Sequence, residues 1–150
     1  MQTLEGQCLC GACRYTATAA EMPEEFGMNG LGACHCQMCR RFSGGVFLSR
    51  SIAPGSLRFA DDGALGVYQS SDWAERGFCK TCGSSLYWKL TAPGPHSGMI
   101  ALAAGTLDDL GDAPLDHEVF IDRKPAGYSF AQATKQMTEA EVMAMAGGEG

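Results

Sequence analysis

Seven of the eight cysteines in this 150-residue chain fall into three tight groups. They are Cys8-Leu-Cys10, Cys34-His-Cys36-Gln-Met-Cys39 and Cys79-Lys-Thr-Cys82-Gly83. Thiolates clustered in this way are metal ligands, and zinc is the metal they suit best. Four of them close the zinc tetrahedron and make the ion structural, whereas three leave a position for water or a substrate atom. Seven thiolates divide into one site of each kind.

Each group has its own means of bringing sulfurs together. Cys8 and Cys10 are alternate residues, and on a strand they would face the same side. Cys79 and Cys82, followed by Gly83, form the C-x-x-C-G of a zinc-knuckle turn, in which glycine lets the backbone curl around the sulfurs. Together the two pairs predict a four-thiolate site, Cys8, Cys10, Cys79 and Cys82, that ties distant parts of the chain together. A structural zinc contributes on the order of 10 kcal/mol to folding. Cys34, Cys36 and Cys39 supply three local thiolates for the second site. His35 is expected to point away from its neighbours and to hydrogen-bond, leaving coordination to the sulfurs. Cys13 has three readings: a knuckle with Cys10, a fourth ligand that closes the second site, or a buried apolar thiol.

The elements that must position these residues are short. Glycine, at 20 residues, has about twice its usual share of ~7 %, which favours tight turns and short strands. Runs rich in β-branched and aromatic residues predict strands over 14–18, 46–49, 57–59, 67–70, 86–90, 99–103 and 117–121. Residues 20–32 and 91–98 read as loops. Thr138-Glu-Ala-Glu141 is a capping box opening a helix through Met145, the one clear helix in the sequence. Met137, Met143 and Met145 read as loosely packed core filler. The fold class is therefore mainly β, in small antiparallel sheets stapled by zinc, with a short C-terminal helix. The expected organisation is one domain over 1–150, with a core over about 6–130 and a tail over 131–150 whose last three residues fray.

Composition narrows the functional class. With 45 % apolar residues the chain can bury a core, and a net charge of -6 disfavours nucleic-acid binding. No apolar run approaches the ~20 residues that span a bilayer, so no membrane partner is expected. The N-terminus lacks the basic and apolar regions of a signal peptide. A cytoplasmic location is expected, where thiols stay reduced and clustered cysteines signify metal or catalysis rather than disulfides.

The order Gly6-Gln-Cys-Leu-Cys-Gly-Ala-Cys-Arg-Tyr15, then Cys34-His-Cys-Gln-Met-Cys-Arg-Arg41 with Ser43-Gly44-Gly45, then Phe78-Cys-Lys-Thr-Cys-Gly-Ser84, resembles the glutathione-dependent formaldehyde-activating enzyme family. The resemblance runs from about residue 6 to about residue 90, and His117 through Tyr128 is similar to the family's closing strands. It implies a β-tent of small antiparallel sheets and two zinc ions per chain. One ion would be structural on Cys8, Cys10, Cys79 and Cys82, the other functional on Cys34, Cys36 and Cys39. It also implies carbon-sulfur lyase chemistry on the adduct of glutathione, or a related small thiol, with an aldehyde such as formaldehyde. Cys13 departs from the family pattern, where an aliphatic residue is usual.

A three-thiolate zinc suits an exogenous thiolate and can polarise an aldehyde oxygen. A tripeptide thiol carries two carboxylates, so Arg40 and Arg41, with the amides of Gly44 and Gly45, are the expected rim. Two competing readings are a zinc-stabilised methionine sulfoxide reductase and a non-catalytic zinc adaptor or chaperone-like module. The reductase needs a late catalytic cysteine, and none follows Cys82. His96 and His117 could transfer protons only if the fold brings them to the metal. A monomer and a homodimer are both compatible with the sequence.

Overall fold

The structure, a computed structural model, describes residues 2–147, so the expected fraying of Gly148, Glu149 and Gly150 lies outside the described residues. In chain order the strands are β1 Thr3–Gln7, β2 Arg14–Thr18, β3 Leu31–Cys34, β4 Phe47–Ile52, β5 Arg58–Phe59 and β6 Leu65–Ser71. They continue with β7 Ala74–Cys79, β8 Ser85–Leu90, β9 Ile100–Ala103, β10 Leu115–Val119 and β11 Lys135–Met137. Helix α1 spans Gln37–Ser43 and α2 spans Glu139–Gly147. The chain is mainly β, as its composition predicts. It forms two compact units, one of residues up to Glu21 with Arg50–Gly111, the other of Met22–Ser49 with the residues from Asp112 onward.

In the first unit, β1 and β2 pair as an antiparallel hairpin with Leu4 opposite Ala17 and Gln7 opposite Arg14, and β5 adds to β2. Alternation places Leu4, Tyr15 and Ala17 inside while Thr3, Glu5 and Thr16 face water. β6, β7, β8 and β9 form an antiparallel run, with Gly77 of β7 opposite Val67 on one side and Tyr87 on the other. The core collects Leu4, Tyr15, Ile52, Leu86, Ile100 and Leu102 together with Cys8, Cys13 and Cys79. Tyr15 brings a hydroxyl into this core, and Thr106 Oγ1 satisfies it at 2.7 Å.

In the second unit β10 lies between β3 and β11, and both pairings are parallel. Val119 of β10 stands opposite Cys34 and opposite Met137. The short-strand pattern in the sequence gave no sign of parallel pairing, since the partners are far apart in the chain and no βαβ pattern joins them. β3 itself falls partly inside the expected loop 20–32, because Gly32 reads as a breaker. The reason for the glycine is steric: a Cβ there would lie 2.2 Å from Nε2 of His117, whose buried ring fills that space.

The capping box of α2 forms as predicted. Thr138 N donates to Glu141 Oε1 at 2.8 Å, and Glu141 N donates to Thr138 Oγ1 at 3.2 Å. Two expectations fail here. α2 is not the only α-helix, since α1 precedes it, and Met143 and Met145 are about half exposed while only Met137 is buried. Both methionines of α2 face water, so they fill no core.

Candidate metal centres

Among the described residues, two groups of side chains are placed to hold a metal ion: Cys8, Cys10, Cys79 and Cys82, and Cys34, Cys36 and Cys39. Within each, the sulfurs lie within 4.8 Å of one another.

The first group is built from two turns of the first unit. Cys8 and Cys10 are not on a strand, contrary to expectation; they sit in the turn joining β1 to β2. There Cys8 N donates to Cys13 O at 3.1 Å and Gly11 N to Cys8 O at 3.2 Å. The turn forms because this segment gives its amides to sulfur as well as to carbonyls, with Cys13 N donating to Cys8 Sγ at 3.3 Å. The second turn has the form the C-x-x-C-G sequence predicts. Thr81 N and Cys82 N both point at Cys79 Sγ, at 3.4 Å, and Gly83 takes φ +80, a region open to glycine. The turns meet with Cys8 Sγ 3.7 Å from Cys10 Sγ, and Cys10 Sγ 3.8 Å from Cys79 Sγ.

The donors around these sulfurs favour thiolates. Hydrogen bonds from the hydroxyl and then the amide of Ser84 hold Cys82 down at about 5. Cys79 is lowered too, first by the amide of Cys82. Cys13 behaves in the opposite way. It is wholly buried, and burial, then its contact with Cys79, pushes it up to about 12. It is a core thiol beside the group.

The second group lies at the junction of β3 and α1. Cys34 ends the strand, Cys36 is the N-cap of the helix, and Cys39 is buried in its first turn. Where a serine or aspartate oxygen usually caps a helix, here Cys36 Sγ accepts from Cys39 N at 3.3 Å. A C-x-x-C spacing thus yields a helical start where the sequence suggested only a turn. The Cys34 thiol is pushed far above its ordinary value, first by its contacts with Cys36 and Cys39 and then by burial. Three thiolates cannot share so small a space without a counter-charge, which a dication could supply. The donor sets of both groups fit zinc: four soft sulfurs in one, three in the other.

His35 is buried between its cysteine neighbours and turned away from them, as expected. Its Nε2 lies 2.8 Å from Glu118 Oε1 and its Nδ1 3.1 Å from Tyr128 Oη. The other oxygen of Glu118 accepts from Thr134 Oγ1 at 2.6 Å. Burial raises the Glu118 carboxyl, but the bonds from Thr134 and His35 outweigh it and hold the group below its usual range. Sequence reasoning missed Glu118, Tyr128 and Thr134. The available signal was weak, an acid beside a histidine in a short strand, Glu118 between His117 and Val119.

Arg40 and Arg41 lie exposed on α1, and Gly44 and Gly45 follow it, also exposed. Arg40 is near enough to Tyr128 to act electrostatically on its hydroxyl. The expectation of a free amide at Gly44 fails, because Gly44 is the left-handed cap of α1 and its N–H bonds Arg40 O at 2.9 Å. His96 is exposed in the 91–98 loop. His117 is 8 % exposed and bonded through Nδ1 to Asp116 Oδ1 at 2.7 Å. It packs on Gly32, and its neighbours explain it as a structural residue.

A family model described as glutathione-dependent formaldehyde-activating enzyme matches residues 3–123, including every cysteine of both groups. The chain belongs to this family. A Schizosaccharomyces pombe protein described as an uncharacterized lyase is 34 % identical over 144 residues, covering 95 % of this chain and 96 % of that protein. A Halomonas elongata protein that carries the name of the glutathione-dependent formaldehyde-activating enzymes is 28 % identical over 130 residues, 81 % of this chain and 77 % of its own length. The crystal structure of a Rhodobacter sphaeroides protein superposes with a TM-score of 0.56 at 23 % identity over 75 % of this chain and 99 % of that one, a likeness of fold. Among the described residues no helix is long and apolar enough to cross a membrane.

Proposed function

We propose that this protein is a zinc-dependent carbon-sulfur lyase acting on the adduct of an aldehyde, formaldehyde first, with glutathione or a related small thiol. The observation that carries the reading is the count of sulfurs in the second group: three converge where a closed structural site would have four. Membership of the family and the lyase description of the Schizosaccharomyces pombe relative support it. Cys8, Cys10, Cys79 and Cys82 would hold a structural zinc, and Cys34, Cys36 and Cys39 a functional one. Bound there, zinc would supply Lewis acidity, lowering the pKa of an incoming thiol and polarising a carbonyl oxygen.

The reaction balances as an addition and its reverse. In one direction the thiol sulfur bonds the carbonyl carbon and the thiol proton passes to the carbonyl oxygen; in the other that carbon-sulfur bond breaks and the proton returns. The chain's own contribution is binding and orientation. Arg40 and Arg41, exposed one and two residues beyond Cys39, would pair with the carboxylates of a tripeptide thiol. Ser43 Oγ donates to Cys39 O and Gly45 O, at 3.0 Å each, which fixes the end of α1 at the Gly44–Gly45 rim. His35 is too deeply buried to reach substrate.

The test is to load the protein with cobalt in place of zinc and titrate it with glutathione. A change in the thiolate-to-metal absorption of one of two bound ions, at millimolar thiol, is the expected result. One ion per chain, or four protein sulfurs on the second ion by X-ray absorption, would overturn the reading and favour a non-catalytic adaptor.

A further inference from the structure

The second unit contains a buried polar chain that neither the metal nor the substrate needs to touch. His35 and Glu118 have side chains 0 % and 4 % exposed and are 2.8 Å apart. Burying such a pair is expensive, and apolar side chains of similar volume often give equal or greater stability. Stability alone is therefore a weak reason for it. Its location is more informative: His35 is the residue between Cys34 and Cys36, so whatever holds His35 holds the backbone from which two of the three sulfurs project.

We propose that His35 and Glu118 are positioning residues for the Cys34, Cys36 and Cys39 group, fixing the separation of its sulfurs through a buried hydrogen-bonded chain anchored on β10. His35 is held at three points. Its N–H donates to Val119 O at 3.1 Å, Nε2 is bound to Glu118, and Nδ1 to the Tyr128 hydroxyl. Glu118 is held in turn by Thr134. The strand that supplies these anchors is itself held in register, with Glu118 opposite Ala33 and Val119 opposite Cys34. Directly after it Phe120 takes φ 56, the one described non-glycine residue at positive φ. A bulky side chain keeps that conformation only where its surroundings dictate it. The chain leaves β10 in a strained turn immediately beyond the two residues that grip His35.

In metal sites, the partners that orient ligands change metal affinity by about 10–100-fold when removed. Here the orientation passes through the backbone on either side of His35. The inference rests on the second group holding a metal and is independent of what the metal does there.

The experiment uses the full chain loaded with two zinc ions and follows release of each to a chromophoric chelator. The Cys8, Cys10, Cys79 and Cys82 group, in the other unit, is the internal control. Glu118→Ala is expected to speed release from the second group by about 10–100-fold and leave the first unchanged. Glu118→Gln keeps an oxygen for His35 and is expected to restore most of the difference. Tyr128→Phe and Thr134→Val each remove one bond, should give smaller accelerations, and serve if Glu118→Ala does not fold. Variants that melt lower yet release both ions at the wild-type rates would overturn the inference and leave the lyase reading intact. So would a Gln variant no better than Ala. A wild-type chain that takes up only one ion would overturn both.

Discussion

Cys10→Ser separates a structural metal from a merely convenient cluster of thiols. Cys10 is exposed, so exchanging its sulfur for oxygen makes no cavity, and a surface change of this kind ordinarily alters stability by no more than about 0.5 kcal/mol. As a ligand it should matter far more. The group it belongs to links positions 69 apart in sequence, Cys10 to Cys79, whereas Cys34 and Cys39 are five apart. Loop-closure entropy growing as (3/2)RT ln n makes the long link worth about 2 kcal/mol more than the short one, before any metal-ligand term. The metal term is on the order of 10 kcal/mol. If one ligand carries even a third of it, about 3 kcal/mol, the melting temperature of a chain this size falls by about 6–12 °C. Cys36→Ser should instead remove one ion and leave melting within a few degrees of wild type, its only structural debit being the cap of α1. The assay is thermal unfolding of zinc-loaded protein beside metal content by mass spectrometry. If Cys10→Ser melts like wild type, or if Cys36→Ser falls as far, the division into structural and functional groups is wrong.

Three further outcomes are expected. Gly32→Ala would put a methyl group 2.2 Å from His117 Nε2; because Asp116 pins that ring, the change should destabilise by about 1–3 kcal/mol, read by chemical denaturation. Tyr15→Phe deletes the 2.7 Å bond to Thr106 and should remove about 1 kcal/mol, with the β1–β2 amides exchanging faster in proportion. Glu118 has a folded-state pKa below its ordinary value of 4.5. Its contribution is therefore complete above that value and disappears as pH falls through the lower folded one. The stability of wild type should drop more steeply than that of Glu118→Gln as pH falls below the ordinary carboxyl value of 4.5, and parallel curves would refute this assignment.

The sequence was most readable where covalent chemistry constrains it. C-x-x-C-G dictates the Cys79 knuckle, and the capping box of Thr138 and Glu141 forms as written. Strands were readable where β-branched and aromatic residues cluster, as in β2. What could not be read depends on contacts between distant segments. β3 looked like loop because Gly32 answers to a histidine 85 positions later. α1 looked like a turn because a sulfur, an uncommon cap, begins it. Nothing local to Cys8 and Cys10 told a tight turn from a strand, since both bring alternate sulfurs together. The partners of His35 needed the parallel pairing of β3 with β10 before they could be named.

The cap of α1 has a thermodynamic consequence. Cys36 Sγ accepts the amide of Cys39 and also belongs to the group that would hold the metal, so helix order and metal occupancy are linked functions of one atom. Linkage is reciprocal: whatever orders α1 must tighten the metal, and whatever draws Cys36 away must loosen the helix. Arg40 and Arg41 ride on that helix. An anion that bound them only when α1 is formed would therefore be coupled, through the helix, to a metal held on Cys36.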